Sequence, residues 1–465
     1  MTLRLLKEES YVPDLSIGEG AKETFGEVHT PMALVNQVLD LLPEEEYRDP
    51  NKKWLDSGAG RGNFALGVYW RLMKHLVDIP EEQRHEYIVG KMLYIVEIQD
   101  THLAHLRTLF GQEANIIGGD YRSYRPEIGF DFIVGNPPYN LDGVQKVPAN
   151  GSVSKKEDGK AAWFDFVRHS MNLLVPEGSL LYVTPLIWMR PDRFDRYGFF
   201  MNHELVSIRC ISDTNATKRA FGPCGQTPLS LFHMRKSHAR PIVSIFDADA
   251  NMEVHFRIDR GCALPVNGAC LMQAMSSVVA RVGHLHVHKT NMPPKGCRLN
   301  SKQDASFPFP NIRSCLISEG RKKSWSGSYD ARLEKEYSNV ELAYAGQPKL
   351  VMAHRRLGMP FLDLAGAYGI SNRDAYVYLG SRTNMLRAKK LLSTRLALYI
   401  FSCFRYRMKY LEKEAFWYIP NVANLPELDK CETEADVYNL LRLSLLHRDI
   451  LRNATMKNYS FVVHE

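Results

Sequence analysis

The pattern of apolar and polar positions changes character along the chain. Over roughly the first 240 residues, short β-rich apolar runs alternate with amphipathic helical patterns, the signature of an α/β sheet. "TPMALVNQVLDLL" (Thr30–Leu42) spaces its apolar residues as one helix face, and Pro31 suits a first-turn position. "KKWLDSG" reads as a short strand entering a glycine-rich turn, with a helix through "NFALGVYWRLMKHL". Strand "MLYIVEIQ", helix "THLAHLRTLF", strand "ANIIGGD" and strand "FDFIVGN" follow in order. After Pro137-Pro138 comes "GVQKVPANGSVSKKEDGKAAW", rich in Gly, Ser and Lys, which reads as a mobile loop. A helix "WFDFVRHSMNLL" and a buried strand within "EGSLLYVTPLIWM" come next. From about Ala239 the α/β regularity is lost, and proline, glycine and basic residues rise, as in "NMPPKGCRLN" and "EGRKKSWSGSYDAR". The expected division is therefore 1–240 and 241–465, which suits a chain of 465 residues, too long for one ordinary core.

Composition adds three constraints. With 45% hydrophobic and 24% charged residues, the chain has the make-up of a soluble globular protein. Its longest apolar runs, such as "LALYIFSCF", fall short of the ~20 residues of a membrane helix. "MTLRLLKEES" has no apolar run leading to a cleavage site, and the eight cysteines form no C-x-x-C pair. A cytoplasmic, reducing environment and no structural zinc are expected. The net charge of +7 hides an asymmetry: residues 1–150 carry −8 and the remainder +15. A polyanion would be held by the later two-thirds of the chain; a merely soluble basic surface is the alternative.

The candidate chemistry sits at strand ends. "WLDSGAGRGNF" places Gly58, Gly60 and Gly62 between a strand and a helix, where the backbone can approach a ligand. No G-K-[ST] follows, so this is not a phosphate loop. Asp56 would repel a pyrophosphate but suits a ligand with a cationic amine and hydroxyls. The next strand ends at Glu97, where an acid clamps ribose hydroxyls, and the third ends at Asp120. Three successive acid-tipped strands describe a pocket for a ribosylated adenine without phosphates, which S-adenosylmethionine fits.

The fourth strand ends "DFIVGNPPYN". Pro137 lacks an N–H but keeps its carbonyl, and Asn136 offers a side-chain carbonyl. Two acceptors held by stiff prolines can take both hydrogens of a planar exocyclic –NH2 and aim the nitrogen lone pair at a methyl donor. Tyr139 adds a ring for a base to stack on, worth ~1–3 kcal/mol in single-strand binders. The plainer alternative is a Pro-Pro turn that simply stops a strand. "GHLHVHK" puts His284, His286 and His288 on one face of an expected strand, but no acid or cysteine accompanies them, so a solvated face is expected rather than a metal site.

Taken together, "DSGAGRGNF", "VEIQD", "GDY" and "DFIVGNPPY" resemble the ordered motifs of S-adenosylmethionine-dependent amino-methyltransferases acting on DNA. "FGEVHTP" (Phe25–Pro31) ahead of the glycine motif resembles the element that opens the γ-class order, the TaqI-like adenine-N6 methyltransferases of restriction–modification systems. "GSLLYVTPLIWM" is similar to that family's strand after the catalytic loop, and "AFGPCGQTPLSLFHMRK" to its later aromatic-bearing hairpin. "KKLLSTRLALYIF…FWYIPNVANLPEL" is similar to the end of its target-recognition region. The resemblance is specific over residues 25–236 and thin beyond 240. It implies a Rossmann-like α/β methyltransferase sheet followed by a C-terminal mixed α+β target-recognition domain.

The resemblance further implies that Thr30, Pro31, Asp56 and Gly58 line the methionine side of the cofactor and that Gly60 is a cofactor contact. Glu97 would take its ribose and Asp120 its adenine amine. Asn136, Pro137 and Tyr139 would hold a flipped-out adenine, with Phe221 or else Phe232 covering its second face. Asp56-Ser57 departs from the commoner acid-proline opening of the glycine motif, which touches the detail of cofactor contact. Lys155 and Lys156 follow the catalytic motif, and Arg321, Lys322, Lys323, Arg355 and Arg356 interleave with aromatics later on; these are candidate contacts to double-stranded DNA. Each of these charge runs could equally be solvated surface.

Methyltransferases of a protein glutamine amide also carry N-P-P-Y; DNA cytosine-N4 methylation uses the same acceptor pair, usually with serine in place of Asn136; and charge alone leaves RNA methylation open. A non-catalytic DNA-binding subunit would keep the fold, although intact Asn136, Tyr139 and glycines argue against it. Methylase motifs beginning at residue 25, with no convincing D…E-x-K cluster, point to a stand-alone methylase, paired with a separate restriction nuclease or orphaned. The oligomeric state is not legible.

Overall fold

The computed structural model describes residues 30–140, 161–212, 217–218, 221, 228–259, 261–317, 331–353, 360–372, 375–406 and 411–454. The chain divides into two compact units, Met1–Ile245 and Phe246–Glu465.

In the first unit, five apolar runs become parallel strands, and the central ones are covered on both faces. β1 (Trp54–Asp56) is buried at every position. It pairs in parallel with β2 (Leu93–Glu97), in register Trp54↔Leu93, and with β4 (Phe130–Gly135), in register Trp54↔Phe132. β3 (Asn115–Gly118) lies outside β2, and β5 (Leu174–Pro185) beside β4 with Gly135 opposite Tyr182. β6 (His203–Ile211) and β7 (Leu229–His238) form an antiparallel pair in which β7 adds to β5. The order is thus β3-β2-β1-β4-β5-β7-β6, and β8 (Ile242–Asp247) follows beyond β6. This is a Rossmann-like sheet whose winding reverses between β1 and β4. Ligands of open α/β sheets bind outside the carboxyl ends of the strands at such a reversal.

Helices α1 (Met32–Leu39), α2 (Asn63–His75), α4 (Asp100–Phe110) and α5 (Trp163–Leu173) match the periodic segments of the sequence. Pro31 stands at the cap of α1 rather than inside its first turn. A helix that periodicity does not announce, α3 (Glu81–Tyr87), buries no residue. Arg84 ties it down by donating to the carbonyls of Ile79 and Met73 at 2.7 and 2.9 Å. The short α6 (Arg196–Met201) follows β5. On one side of the sheet Trp54 stacks between Tyr47 and Phe132, with centroids 4.9 and 4.1 Å away. Trp188 stacks on Phe200 at 3.9 Å and meets Phe232 edge-on.

The second unit opens with β9 (Met252–Arg257) and α7 (Ala269–Val282). Strands β10 (His288–Lys289), β11 (Leu299–Asn300), β12 (Phe309–Ile317), β13 (Ala331–Ser338), β14 (Lys349–Ala353), β15 (Phe361–Asp363), β16 (Gly369–Ile370) and β17 (Ala375–Tyr378) form two four-stranded sheets, ordered β10-β17-β14-β15 and β11-β13-β12-β16. Ile312, Cys315, Val351, Ile370 and Val377 from both sheets share one apolar core. Four helices close the unit: α8 (Arg382–Leu392), α9 (Arg395–Cys403), α10 (Glu434–Leu440) and α11 (Leu445–Asn453). Ser381, Thr394, Thr433 and Ser444 start them, each hydroxyl accepting from the amide three residues on.

The expected histidine strand is only partly a strand. His288 pairs with Val377, but His284 makes a single bridge with Pro420. The alternation of faces survives: Leu285 and Val287 are buried and the three histidines exposed. No helix among the described residues is long and apolar enough to cross a membrane.

Candidate active site at the reversal of the sheet

The tips of β1 and β4 are neighbours because Asp56 pairs with Val134 in the parallel register. Asp56 is fully buried; its Oδ2 accepts from the Ala65 amide in the first turn of α2 at 3.0 Å. Burial pushes its carboxyl up to about 7, against the opposing pull of the Ala65 and Gly58 amides. In the glycine turn, Gly62 caps α2 with φ 90°, and a Cβ there would come within 2.7 Å of Leu106 Cδ2. Helix packing therefore demands this glycine. A Cβ at Gly58 would meet only ordinary contact with Phe166, at 3.7 Å.

Glu97, at the end of β2, is buried and occupied by backbone. Its Oε2 accepts from Gly60 N at 2.7 Å and its Oε1 from Gln99 N at 2.8 Å. Gly60 and Glu97, which the sequence presents as separate features, are thus one unit that fixes the shape of the turn. Asp120 caps the turn at Tyr121–Ser123, accepting from the Arg122 amide, and pairs with the Arg122 guanidinium at 2.6 Å. Arg122 holds the Asp120 carboxyl below its usual range.

At the end of β4, Asn136 Nδ2 donates to Thr30 Oγ1 at 3.0 Å. Thr30 is itself held by Asn63, whose Nδ2 donates to the Thr30 carbonyl at 2.7 Å. Thr30 and Asn136, 106 positions apart, so meet at one point. With its amino group anchored, Asn136 presents a buried Oδ1 that has no hydrogen-bond partner among the described residues. The Tyr139 hydroxyl is likewise buried and unpartnered among them, and burial raises its pKa far above the usual tyrosine range. The Tyr139 carbonyl accepts from Ala162 N, next to a bridge between Asn140 and Ala161.

A buried chain of hydroxyls runs beneath these tips and had no signature in the sequence. Tyr121 Oη and Ser170 Oγ lie 2.8 Å apart, Ser170 Oγ and Tyr182 Oη 2.7 Å, and Tyr182 donates to Ser57 Oγ at 2.5 Å. Gly135 sits on this chain, since a Cβ there would lie 2.9 Å from Ser57 Oγ. Ser57, which departs from the commoner proline of the motif, thus links Tyr182 to the backbone that carries Asn136. Asn63, Ser170 and Tyr182 are residues of the candidate site that sequence patterns did not mark; Ser57 was marked only as a departure from the motif.

Phe221 is half-buried and packs on the same apolar cluster as Tyr139. Phe232 is fully buried, with Trp188, Phe200 and Tyr182 around its ring. It is a core residue, so the expectation that it stacks on a base does not hold. Lys155, Lys156, Arg321, Lys322, Lys323, Arg355 and Arg356 lie outside the described residues.

Against known families, residues 81–216 match the model of the Eco57I restriction-modification methylases. Over that segment the chain is similar to restriction–modification methylases. Methylases of this kind draw their methyl group from S-adenosylmethionine, and the site fits that cofactor: a buried acid stands beside an open glycine turn, with an unpartnered Asn136 carbonyl next to it. No curated protein matches the chain in sequence. Among solved structures, the chain is similar to a modification subunit of a putative type I restriction enzyme from Vibrio vulnificus, at 14% identity and TM-score 0.36, covering 47% of this chain and 46% of that one. It is also similar to the M protein of the type I restriction enzyme EcoKI, at 15% identity and TM-score 0.36, covering 47% and 48%. A putative class I S-adenosylmethionine-dependent methyltransferase from Listeria monocytogenes matches at 16% identity and TM-score 0.32, covering 49% and 64%. The chain spans about half the length of the restriction-enzyme subunits it matches. At TM-scores this low, the fold stands on the chain's own strand order.

Proposed function

We propose that the chain is a site-specific DNA adenine-N6 methyltransferase that uses S-adenosylmethionine and acts on an adenine flipped out of duplex DNA. The observation that carries this reading is the Asn136 amide, with its amino end anchored on Thr30 and its carbonyl end buried and unpartnered among the described residues. Leaving a buried acceptor unpaired costs about 1–3 kcal/mol, a cost that a donor arriving with the substrate removes. An exocyclic amine is such a donor, and a base inside a duplex reaches the pocket only by flipping.

The bound cofactor supplies an electrophilic methyl group on a sulfonium centre. Asn136 Oδ1 and the Pro137 carbonyl accept the two amine hydrogens, which turns the nitrogen lone pair out of the ring plane. Held by Asn136 and Pro137, the N6 lone pair would face the methyl group that the bound cofactor would supply, and the methylated nitrogen would give one proton to water. Positioning does most of this work. Tyr139 and Phe221 would face the two sides of the base, Asp56 would hold the cofactor's cationic amine, and Glu97 and Asp120 its ribose and adenine. The positive balance of the later part of the chain supports a polyanionic partner.

Incubation of the protein with mixed-sequence duplex DNA and S-adenosylmethionine, followed by nucleoside mass spectrometry, tests the reading. N6-methyladenine from the wild type but not from Asn136→Ala is the expected result. N4-methylcytosine would move the target to cytosine. No methylated nucleoside, with cofactor binding intact, would overturn DNA as substrate.

A further inference from the structure

One turn beside the catalytic loop is built to present an aromatic ring. After β5 the chain passes through Leu186–Met189 into "RPDRFDR", Arg190–Arg196. There Phe194 stands 57% exposed. Two guanidinium groups lie close to its ring, with Arg193 Cζ 4.7 Å and Arg196 Cζ 4.9 Å from the centroid. Neither arginine has a carboxylate partner within salt-bridge distance among the described residues. The turn is internally fixed. Asp192 Oδ1 accepts from the Phe194 amide at 2.6 Å and the Arg196 amide at 3.4 Å. Asp195 adopts left-handed backbone angles, φ 54°, to start α6. A non-glycine residue held left-handed and a phenylalanine held in water are both unfavourable, and here they occur side by side.

Position gives the turn its meaning. β5 runs parallel to β4, so its carboxyl end lies on the same edge of the sheet as Asn136. Contacts also lead directly from the catalytic loop to the turn. The Tyr139 carbonyl accepts from Ala162 N, Trp163 follows, and Arg196 lies over the Trp163 ring at 5.8 Å. A guanidinium stacked on a ring keeps its N–H edge pointing outward, the geometry that meets phosphate oxygens.

We infer that Phe194, with Arg193 and Arg196, is a contact of the catalytic unit with substrate duplex DNA next to the target nucleotide. The two guanidinium groups take flanking phosphates, and the ring packs on the base exposed when its neighbour leaves the stack. The inference rests on the DNA-methylation reading above and extends it to a contact made by the first unit.

The test uses the full chain, fragmented mixed-sequence genomic DNA and S-adenosylmethionine. Phe194→Ala should raise the KM for DNA about tenfold, the scale of losing one stacked base, and Phe194→Trp should restore it. Arg193→Gln with Arg196→Gln should reduce the salt dependence of DNA binding by about two phosphate contacts' worth. Cofactor affinity, measured by calorimetry, should be unchanged in all three, which also checks that they fold. Wild-type KM and salt slope in the variants, with wild-type methylation of DNA intact, would overturn this inference alone. A wild-type protein that binds the cofactor but methylates no DNA would overturn the underlying reading, and this one with it.

Discussion

Two buried polar clusters, one in each unit, are built on opposite terms. In the second unit, Lys349 is fully buried, and its Nζ donates to Asp363 at 2.7 Å, to Tyr344 O at 3.0 Å and to Gln347 O at 3.1 Å. Asp363 in turn accepts from the amides of Ala367 and Tyr368. Burial pulls the Lys349 ammonium below its usual range, and Asp363 opposes that pull. Three donors meet three acceptors there. At the tip of β4, by contrast, Asn136 Oδ1 and Tyr139 Oη are buried with no partner among the described residues, and Asp56 is pushed up to about 7. A saturated cluster stabilises a fold, whereas a cluster left short of partners is held ready for a ligand.

The comparison can be broken by substitution. Lys349→Ala should cost about 3–5 kcal/mol of stability in a denaturant titration, because it strands Asp363. Lys349→Met combined with Asp363→Leu should recover most of that loss. Asn136→Ala should do the reverse, lowering methyl transfer about 10²–10³-fold, on the scale of one preorganised polar group, while thermal stability holds. A large fall in stability for Asn136→Ala would place that residue with Lys349 instead.

The Asp56 carboxyl sharpens the contrast through pH. Its folded pKa lies above the unfolded value of 3.8, so the ligand-free protein loses stability as pH rises from about 4 to about 7 and no more beyond. A cationic cofactor needs the ionised form. Calorimetric affinity for S-adenosylmethionine should therefore rise with pH, by at most about tenfold per unit, and level off above about 7. Asp56→Asn should flatten that profile. The smallest effect belongs to Thr30→Val, which keeps the shape but removes the Asn136 anchor. A loss of about 1 kcal/mol corresponds to a several-fold fall in kcat, measurable in single-turnover methylation.

Much of this was legible in the sequence, for local reasons. Alternating apolar runs marked β1 to β5 and α1, α2, α4 and α5, and acids or Asn136 at strand ends marked the candidate site. Helix α3 escaped because a segment that buries none of its residues has no apolar stripe. Phe232 looked like a binding aromatic because one residue in a strand carries no sign of which face is covered. Its burial comes from Trp188 and Phe200, which follow a different strand.

The sequence by itself determined the strand-tip chemistry: Asp56, Glu97, Asp120 and Asn136-Pro137-Pro138-Tyr139 follow from turn residues placed after buried runs. Tertiary structure alone decided what those groups touch. It brought Thr30 to Asn136, Tyr182 to Ser57 and Gly60 to Glu97. The reason is separation along the chain. Periodicity and turn preference act over a few residues, whereas a hydrogen bond across 106 or 125 positions exists only once the sheet has closed its register.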